Sequence, residues 1–227
     1  MRNVVFVLTC FFVSCNQVHA DSPPSFSQMY QGQLNLQELT IKAKAGDPQS
    51  QVELGTAYLE GRQVPKDNKQ AFYWYDKAAQ QGYAEGQNRL GMMYYYGYGA
   101  EQDFRQALNW YTKASLQKNA QATYELSVMY SRGEGVSPDP ARSTQLCIQS
   151  AELGFAFGQF ALGERYIQGM GVAQDFNLSV QWLQKAAEQN MPNAQNDLGV
   201  MYLQGIGVDQ DFQEALKLFQ AASEQGN

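Results

Sequence analysis

The chain of 227 residues carries 16 Lys+Arg against 22 Asp+Glu, a formal net charge of −6, and has no basic cluster suited to a phosphate backbone or an anionic lipid surface. Hydrophobic residues make up 44% of it, enough to bury a sizeable apolar surface, so the composition is not that of a disordered chain. The only histidine is His19 and the cysteines are Cys10, Cys15 and Cys147, which leaves no material beyond residue 20 for a Cys/His zinc site, a disulfide framework, or a Cys–His or Ser–His nucleophile pair.

Met1-Arg2-Asn3 is a short positive start, Val4 to Val13 is an apolar run, and Val18-His19-Ala20 sets small or apolar residues at the −3 and −1 positions of a cleavage site. Residues 1–20 therefore read as a signal peptide, and the expected location is exported, periplasmic or secreted. The run is too short for the roughly 20 residues that span a bilayer. Loss of this segment removes Arg2 and no acid, giving −7. Phe12-Val-Ser-Cys15 resembles a bacterial lipobox, which makes a lipid anchor at Cys15 the second reading, since Phe12 stands where an aliphatic residue is usual. Residues 21–29 form a polar linker around Pro23-Pro24. Residues 30–46 follow as an N-terminal capping helix, with Leu34, Leu36, Leu39 and Ala43 on its apolar side and Gly46 closing it.

From Asp47 the chain repeats itself every 36 residues, as 47–82, 83–118, 119–154, 155–190 and 191–226. Leu54, Leu90, Leu126, Leu162 and Leu198 fall in one register, as do Tyr58, Tyr94, Tyr130, Tyr166 and Tyr202, and Asp67, Asp103, Asp139, Asp175 and Asp211. A fixed period of this size signals a solenoid of supersecondary units. Within each unit a small residue (Ser50, Gly86, Ala122, Gly158, Ala194), the leucine and the tyrosine are spaced i, i+4, i+8, one face of a first helix, A. A glycine follows the leucine in four copies, Ser127 being the exception, and predicts tight helix packing there. Gly61 and its equivalents end helix A. A second loop glycine recurs at Gly99, Gly135, Gly171 and Gly207, with Gln63 the outlier. The aspartates then cap a second helix, B, and Asp67…Gln70, Asp103…Gln106 and Asp211…Glu214 have capping-box spacing. Leu146-Cys147 marks the third copy as the most divergent.

The pattern Leu-Gly-x-x-Tyr, Gly-x-Gly-Val, Asp, Trp-Tyr-x-Lys-Ala-Ala and a closing Gly resembles the Sel1-like repeat, a relative of the tetratricopeptide repeat. The resemblance covers Asp47 to Gly226. It implies an all-α, α/α solenoid, a right-handed superhelix of five helix pairs with a concave inner face, and adaptor or scaffold work rather than catalysis. Some exported relatives are cysteine-rich and linked to β-lactam binding, but this chain lacks the paired cysteines on which that activity would rest.

The repeated tyrosines, four residues from a leucine in every copy, are expected in the core. The repeated aspartates sit at helix starts without a second acid at fixed spacing, so they cap helices rather than hold a metal. Cys147 is expected to be a small buried hydrophobe. Ser115-Leu-Gln-Lys118 matches a Ser-x-x-Lys pattern, but Ser115 occupies the small-residue position of Ala79, Ala151 and Ala187, and no supporting motif occurs. No cofactor, metal or catalytic residue is expected.

Binding is therefore assigned to variable positions of helix A, taken to line the concave face. They lie two before the leucine and two, five and six after it, with aromatics concentrated in the middle repeats. Asn88, Met92, Tyr95, Tyr96, Tyr124, Arg132, Phe160, Glu164 and Asn196 form the candidate surface for a protein or peptide partner of unknown identity. The runner-up function is a ligand-binding protein or enzyme acting on β-lactams or peptidoglycan fragments. In the last helix, Gln213, Glu214, Lys217, Gln220 and Glu224 predict a polar outer side.

Overall fold

The computed structural model describes residues 26–225, with side chains from residue 35 onward. The expected signal peptide, Cys15 and the start of the linker fall outside the described residues. Among those described there are eleven helices and no strand. Helix α1 (Phe26–Lys44) begins four residues before the expected capping helix, inside the stretch read as linker. Ten helices of 13 residues follow, each about 20 Å long. The A helices are α2 (Pro48–Glu60), α4 (Ala84–Tyr96), α6 (Ala120–Arg132), α8 (Ala156–Gln168) and α10 (Pro192–Gln204). The B helices are α3 (Asn68–Gln80), α5 (Phe104–Leu116), α7 (Pro140–Glu152), α9 (Phe176–Glu188) and α11 (Phe212–Glu224).

Every helix packs on its neighbour in the chain, A on B within a repeat and B on the next A between repeats. In addition α2 touches α4, α4 touches α6 and α6 touches α8, while no contact of similar extent joins the B helices. The A side is thus the tighter, inner side of the stack. Helix α1 closes the first repeat by laying Leu36, Leu39 and Ala43 against Leu54 and Trp74.

The mid-helix glycines are explained by what they face. A Cβ added at Gly55, Gly91, Gly163 or Gly199 would stand 2.8 Å from the side chain of Tyr75, Tyr111, Leu183 or Phe219 on the paired B helix. Those four positions share one register, and its fifth member is Cys147, in the copy where Ser127 replaces the glycine. Tyr75 and Tyr111 are 0% and 2% exposed, so the deepest aromatics lie on helix B. The repeated helix-A tyrosines, expected in the core, are only partly buried at its edge. Their backbone does the rest: Tyr58, Tyr94, Tyr130, Tyr166 and Tyr202 each accept, through the carbonyl, the N–H of the following capping aspartate at 2.9–3.0 Å.

That bond corrects the capping-box expectation. Asp67 Oδ1 accepts from Lys69 N and Gln70 N as a cap should. The aspartate's own N–H is already given to the tyrosine carbonyl, so Gln70 has no donor to return to. The same holds for Asp103 and Asp211.

A glutamine ladder staples successive repeats. Gln51, Gln87, Gln159 and Gln195 are 4–6% exposed. Each accepts at Oε1 from the glutamine thirty residues on, Gln81, Gln117, Gln189 or Gln225, at 2.7–3.0 Å. Each also donates to a carbonyl of the preceding helix, Ala43, Ala79, Ala151 or Ala187. The third repeat replaces both partners together, with Thr123 and Leu153, and Thr123 Oγ1 pairs with Ser115 Oγ at 2.8 Å instead. Three of the second loop glycines abut the first residue of the preceding B helix, Gly99 at Asn68 O, Gly135 at Phe104 O and Gly207 at Phe176 O, while Gly171 faces the Thr144 side chain. Position 63 has the same left-handed backbone (φ 61°) but only α1 before it, so a side chain fits.

The outer side of α11 is less polar than expected. Phe212 and Leu216 are 61% and 54% exposed, and Leu218 and Phe219 are partly exposed, whereas their counterparts Trp110 and Tyr111 are buried, Trp110 against the first two repeats and Tyr111 in a core shared with α6.

Candidate partner-binding face

The C-terminal end of α4 carries a cluster of rings. Tyr95 lies edge-on to Tyr96 (centroids 4.9 Å) and Phe104 (5.3 Å), and Tyr96 stacks on Tyr98 at 5.5 Å. Tyr95 also reaches the next repeat, donating its hydroxyl to Glu134 Oε2 at 2.8 Å, while Arg132 Nη1 donates to Tyr95 Oη at 3.4 Å. Burial, reinforced by the Glu134 carboxylate, pushes the Tyr95 phenol up to about 12. Tyr96 and Tyr98 remain 54% and 41% exposed. A second cluster lies at the N-terminal ends of α6 and α8, where Tyr124, Phe155 and Phe157 meet with centroids 5.5–6.3 Å apart. Phe157 is 52% exposed.

Three acids on the inner helices stand apart. Glu125 on α6 and Glu164 on α8 are largely buried, and burial pushes each carboxyl up to about 7, the charge of Asp197 adding to the effect at Glu164. Among the described residues neither has a hydrogen bond or an ion pair to its carboxyl, and neither carboxyl is sealed from the surface. Burial also raises Asp197 on α10, against a hydrogen bond from Asn196. The Glu125 charge raises the phenols of Tyr96, Tyr111 and Tyr124, on three different helices, and Glu125 in turn feels the opposing charge of Arg132.

The structure sorts the sequence-derived residues. Tyr95, Tyr96 and Arg132 come together in the first cluster, Tyr124 belongs to the second, Glu164 lies within electrostatic reach of Tyr124, and Asn196 is exposed beside Asp197. Asn88 is not open surface: it is 1% exposed and donates to Gln121 Oε1 at 3.2 Å, with Oδ1 unpartnered. Met92 and Phe160 are partly buried against the cores of their repeats. Glu125, Glu134, Asp197, Phe155 and Phe157 were not foreseen. Glu125 and Asp197 sit one residue before the repeated leucine, where Glu53, Arg89 and Ala161 are their counterparts, and that run of charge beside a core leucine was the available signal.

Ser115 is 7% exposed and bonded to Thr123, so Ser-x-x-Lys is a packing feature. Cys147 is buried with its sulfur 3.8 Å from Gly158 O, and burial pushes the thiol up. Among the described residues no group of three or more His, Cys, Asp or Glu could hold a metal, and no helix is long and apolar enough to cross a membrane. Two open depressions between α1 and α2, lined by residues such as Asn35, Glu38 and Lys42, lie away from both aromatic clusters.

The Sel1 repeat model matches five times, at residues 48–83, 84–119, 120–155, 156–191 and 192–227. The chain belongs to the Sel1 repeat family. Sel1 repeat proteins are generally protein-interaction scaffolds. The chain is similar to a Sel1 repeat protein from Oxalobacter formigenes, at 35% identity and TM-score 0.80 over 85% of this chain and 56% of that one. It is similar to c5321, a protective antigen of uropathogenic Escherichia coli with a Sel1-like repeat fold, at 35% identity and TM-score 0.63 over 85% of this chain and 49% of that one. A stretch of 47 residues is 40% identical to the secretory immunoglobulin A-binding protein EsiB of Escherichia coli O6:H1, covering 21% of this chain and 10% of that protein. This Sel1 repeat chain thus spans about half the length of those two solved structures and a smaller part of EsiB.

Proposed function

We propose that this Sel1 repeat chain is an exported, non-catalytic adaptor that holds a protein or peptide on its inner, helix-A face. The observation that carries the reading is the exposure of Tyr96, Tyr98 and Phe157 in the middle repeats, large rings outside the recurring leucine and tyrosine positions of the repeat. Rigid rings edged by Glu134, Arg132 and Asn196 are the chemistry of a protein-binding groove, apolar at the centre and polar at the rim. Tyr95, Tyr124, Arg132 and Glu164 join them as contact residues, while Asn88, Met92 and Phe160 support the surface from beneath. Export is supported by the pattern of residues 1–20, with lipidation at Cys15 the alternative. A stretch in common with a protein that binds secretory immunoglobulin A and the likeness to a bacterial antigen agree with work outside the cytoplasm.

Tyr124 is partly buried among rings, so its removal would disturb the face itself, and Tyr96, 54% exposed, is the cleaner probe. A photo-crosslinking amino acid placed at Tyr96 should yield a discrete adduct in the native cell. The same group at Tyr73, 48% exposed on helix α3 of the outer side, should not. Adducts from position 73 alone would move the site to the convex face. The mass of the mature protein from cell fractions tests export: retention of residues 1–20 without lipid would refute it.

A further inference from the structure

Each internal B helix is covered on its following side by the next helix A, and the covering contacts recur in one register. Phe72 on α3 meets the Tyr94 ring of α4 edge-on, with centroids 5.2 Å apart. Thr144 on α7 accepts from Arg165 of α8 at 2.9 Å. Leu108 on α5 packs into the core formed with α6, and Val180 on α9 shares a core with Leu198 and Met201 of α10. The fifth member of that register is Leu216 on α11, which is 54% exposed. Among the described residues no helix lies on the following side of α11. Phe212, Leu216, Phe219 and Ser223 stand at i, i+4, i+7 and i+11 there, one uncharged stripe of the helix.

That stripe repeats the one on α5. Phe104, Leu108 and Ser115 recur as Phe212, Leu216 and Ser223, and Tyr111 differs from Phe219 by a hydroxyl. What covers α5 is α6. Phe104, Leu108 and Tyr111 share one core with Ala122, Leu126 and Met129, and Ser115 Oγ lies 2.8 Å from Thr123 Oγ1. The residue at the Ser115 position also goes with the residue that meets it. Where it is alanine, at Ala43, Ala79, Ala151 and Ala187, its carbonyl accepts from a glutamine of the next helix A. Where it is serine, threonine stands in place of the glutamine. Ser223 is therefore matched to threonine.

We infer that the following side of α11 is a docking site for one helix of a second protein, with a contact face built like that of α6. That face reads as a small residue, threonine, leucine and methionine at the spacing of Ala122, Thr123, Leu126 and Met129. The interface continues the one that already joins the repeats, so its chemistry is that of a core: Phe212 and Leu216 leave water, and the hydroxyl of Ser223 meets a threonine. The backbone at Phe212 is open to a loop glycine of the partner, as Phe104 receives Gly135. Because the stripe carries no charge, a charged residue on the partner's contact face would be buried unpaired, which excludes that partner. A second copy of this chain has no such helix to spare among the described residues, since each of its A helices is covered by the helix before it, α2 by α1 and α6 by α5. The site is distinct from the rings of the inner face.

The probe is a fluorescein-labelled peptide of residues 119–133 of this chain, α6 with its caps. A lactam between positions 124 and 128, on the side that meets Phe155 rather than α5, holds it helical. Anisotropy with the whole chain should show saturable binding. Leu216→Asp, at an exposed position, should keep the circular dichroism spectrum and the Tm while weakening binding about tenfold or more. Ser223→Ala should weaken it by about three- to tenfold. With that variant a peptide carrying Thr123→Gln should bind better than the parent peptide, the reverse of their order with the wild type. Tyr96→Ala, on the inner face, should change nothing. Failure of the bridged peptide to bind would overturn the proposal, as would binding that Leu216→Asp leaves intact. Self-association of the chain in sedimentation, abolished by Leu216→Asp, would give the stripe to a second copy and overturn it too.

Discussion

The second and third repeats have the same helices at the same register, yet solve their packing differently. The second pairs Gly91 with Tyr111 and Gln87 with Gln117. The third has Ser127 with Cys147 and Thr123 with Leu153. Each substitution on helix A is matched by one on helix B, because what a repeat must preserve is the summed volume between its helices and a full set of buried hydrogen bonds, not any particular residue. The third repeat also holds Glu125, Tyr124 and Arg132, so the copy that departs furthest from the pattern contributes most to the candidate site.

The comparison can be broken first at the position the two repeats share. Leu126→Ala removes a side chain 3% exposed in the third core and should lower stability by ~2–5 kcal/mol in chemical denaturation. A much smaller loss would mean that the divergent repeat is loosely packed. Next comes Gly91→Ala. The new Cβ would meet the Tyr111 ring at 2.8 Å, and the ring, 2% exposed, has no room to yield. A net cost of ~1–3 kcal/mol is expected despite the better helix propensity of alanine. Combining Gly91→Ser with Tyr111→Cys imports the third repeat's solution, and the pair should cost less than the sum of the singles.

A milder change separates the two hydrogen-bond schemes. Gln117→Leu leaves the buried Gln87 Oε1 without its donor and should cost ~1–3 kcal/mol, part of which Gln87→Thr restores in the double variant. Glu125→Gln should then flatten the pH dependence of stability. In the wild type the folded state holds its protons up to about 7, above the ordinary carboxylate value of 4.5, so stability falls as pH rises between the two. Thermal melts across that range should show a declining Tm for the wild type and a shallower decline for the variant. An unchanged slope would remove Glu125 from the account. Smallest of all, Lys118 ends the second repeat at φ 63° where Gly154 ends the third at φ 89°. Lys118→Gly should relieve a left-handed backbone by a few tenths to about 1 kcal/mol.

By itself the sequence determined the number of repeats, their helix pairs, the capping aspartates and the need for small residues between helices. Those features are local or recur at a fixed spacing, so the register alone exposes them. The tertiary structure decided what depends on a neighbour's side chain. It put the deepest tyrosines on helix B, gave the capping aspartate's N–H to a tyrosine carbonyl, joined glutamines thirty residues apart, and buried Asn88. It also decided that Glu53 is exposed while Glu125, at the same register, is largely buried. Burial and partnership are properties of the space between repeats, and that space is filled by whatever the adjoining copies supply.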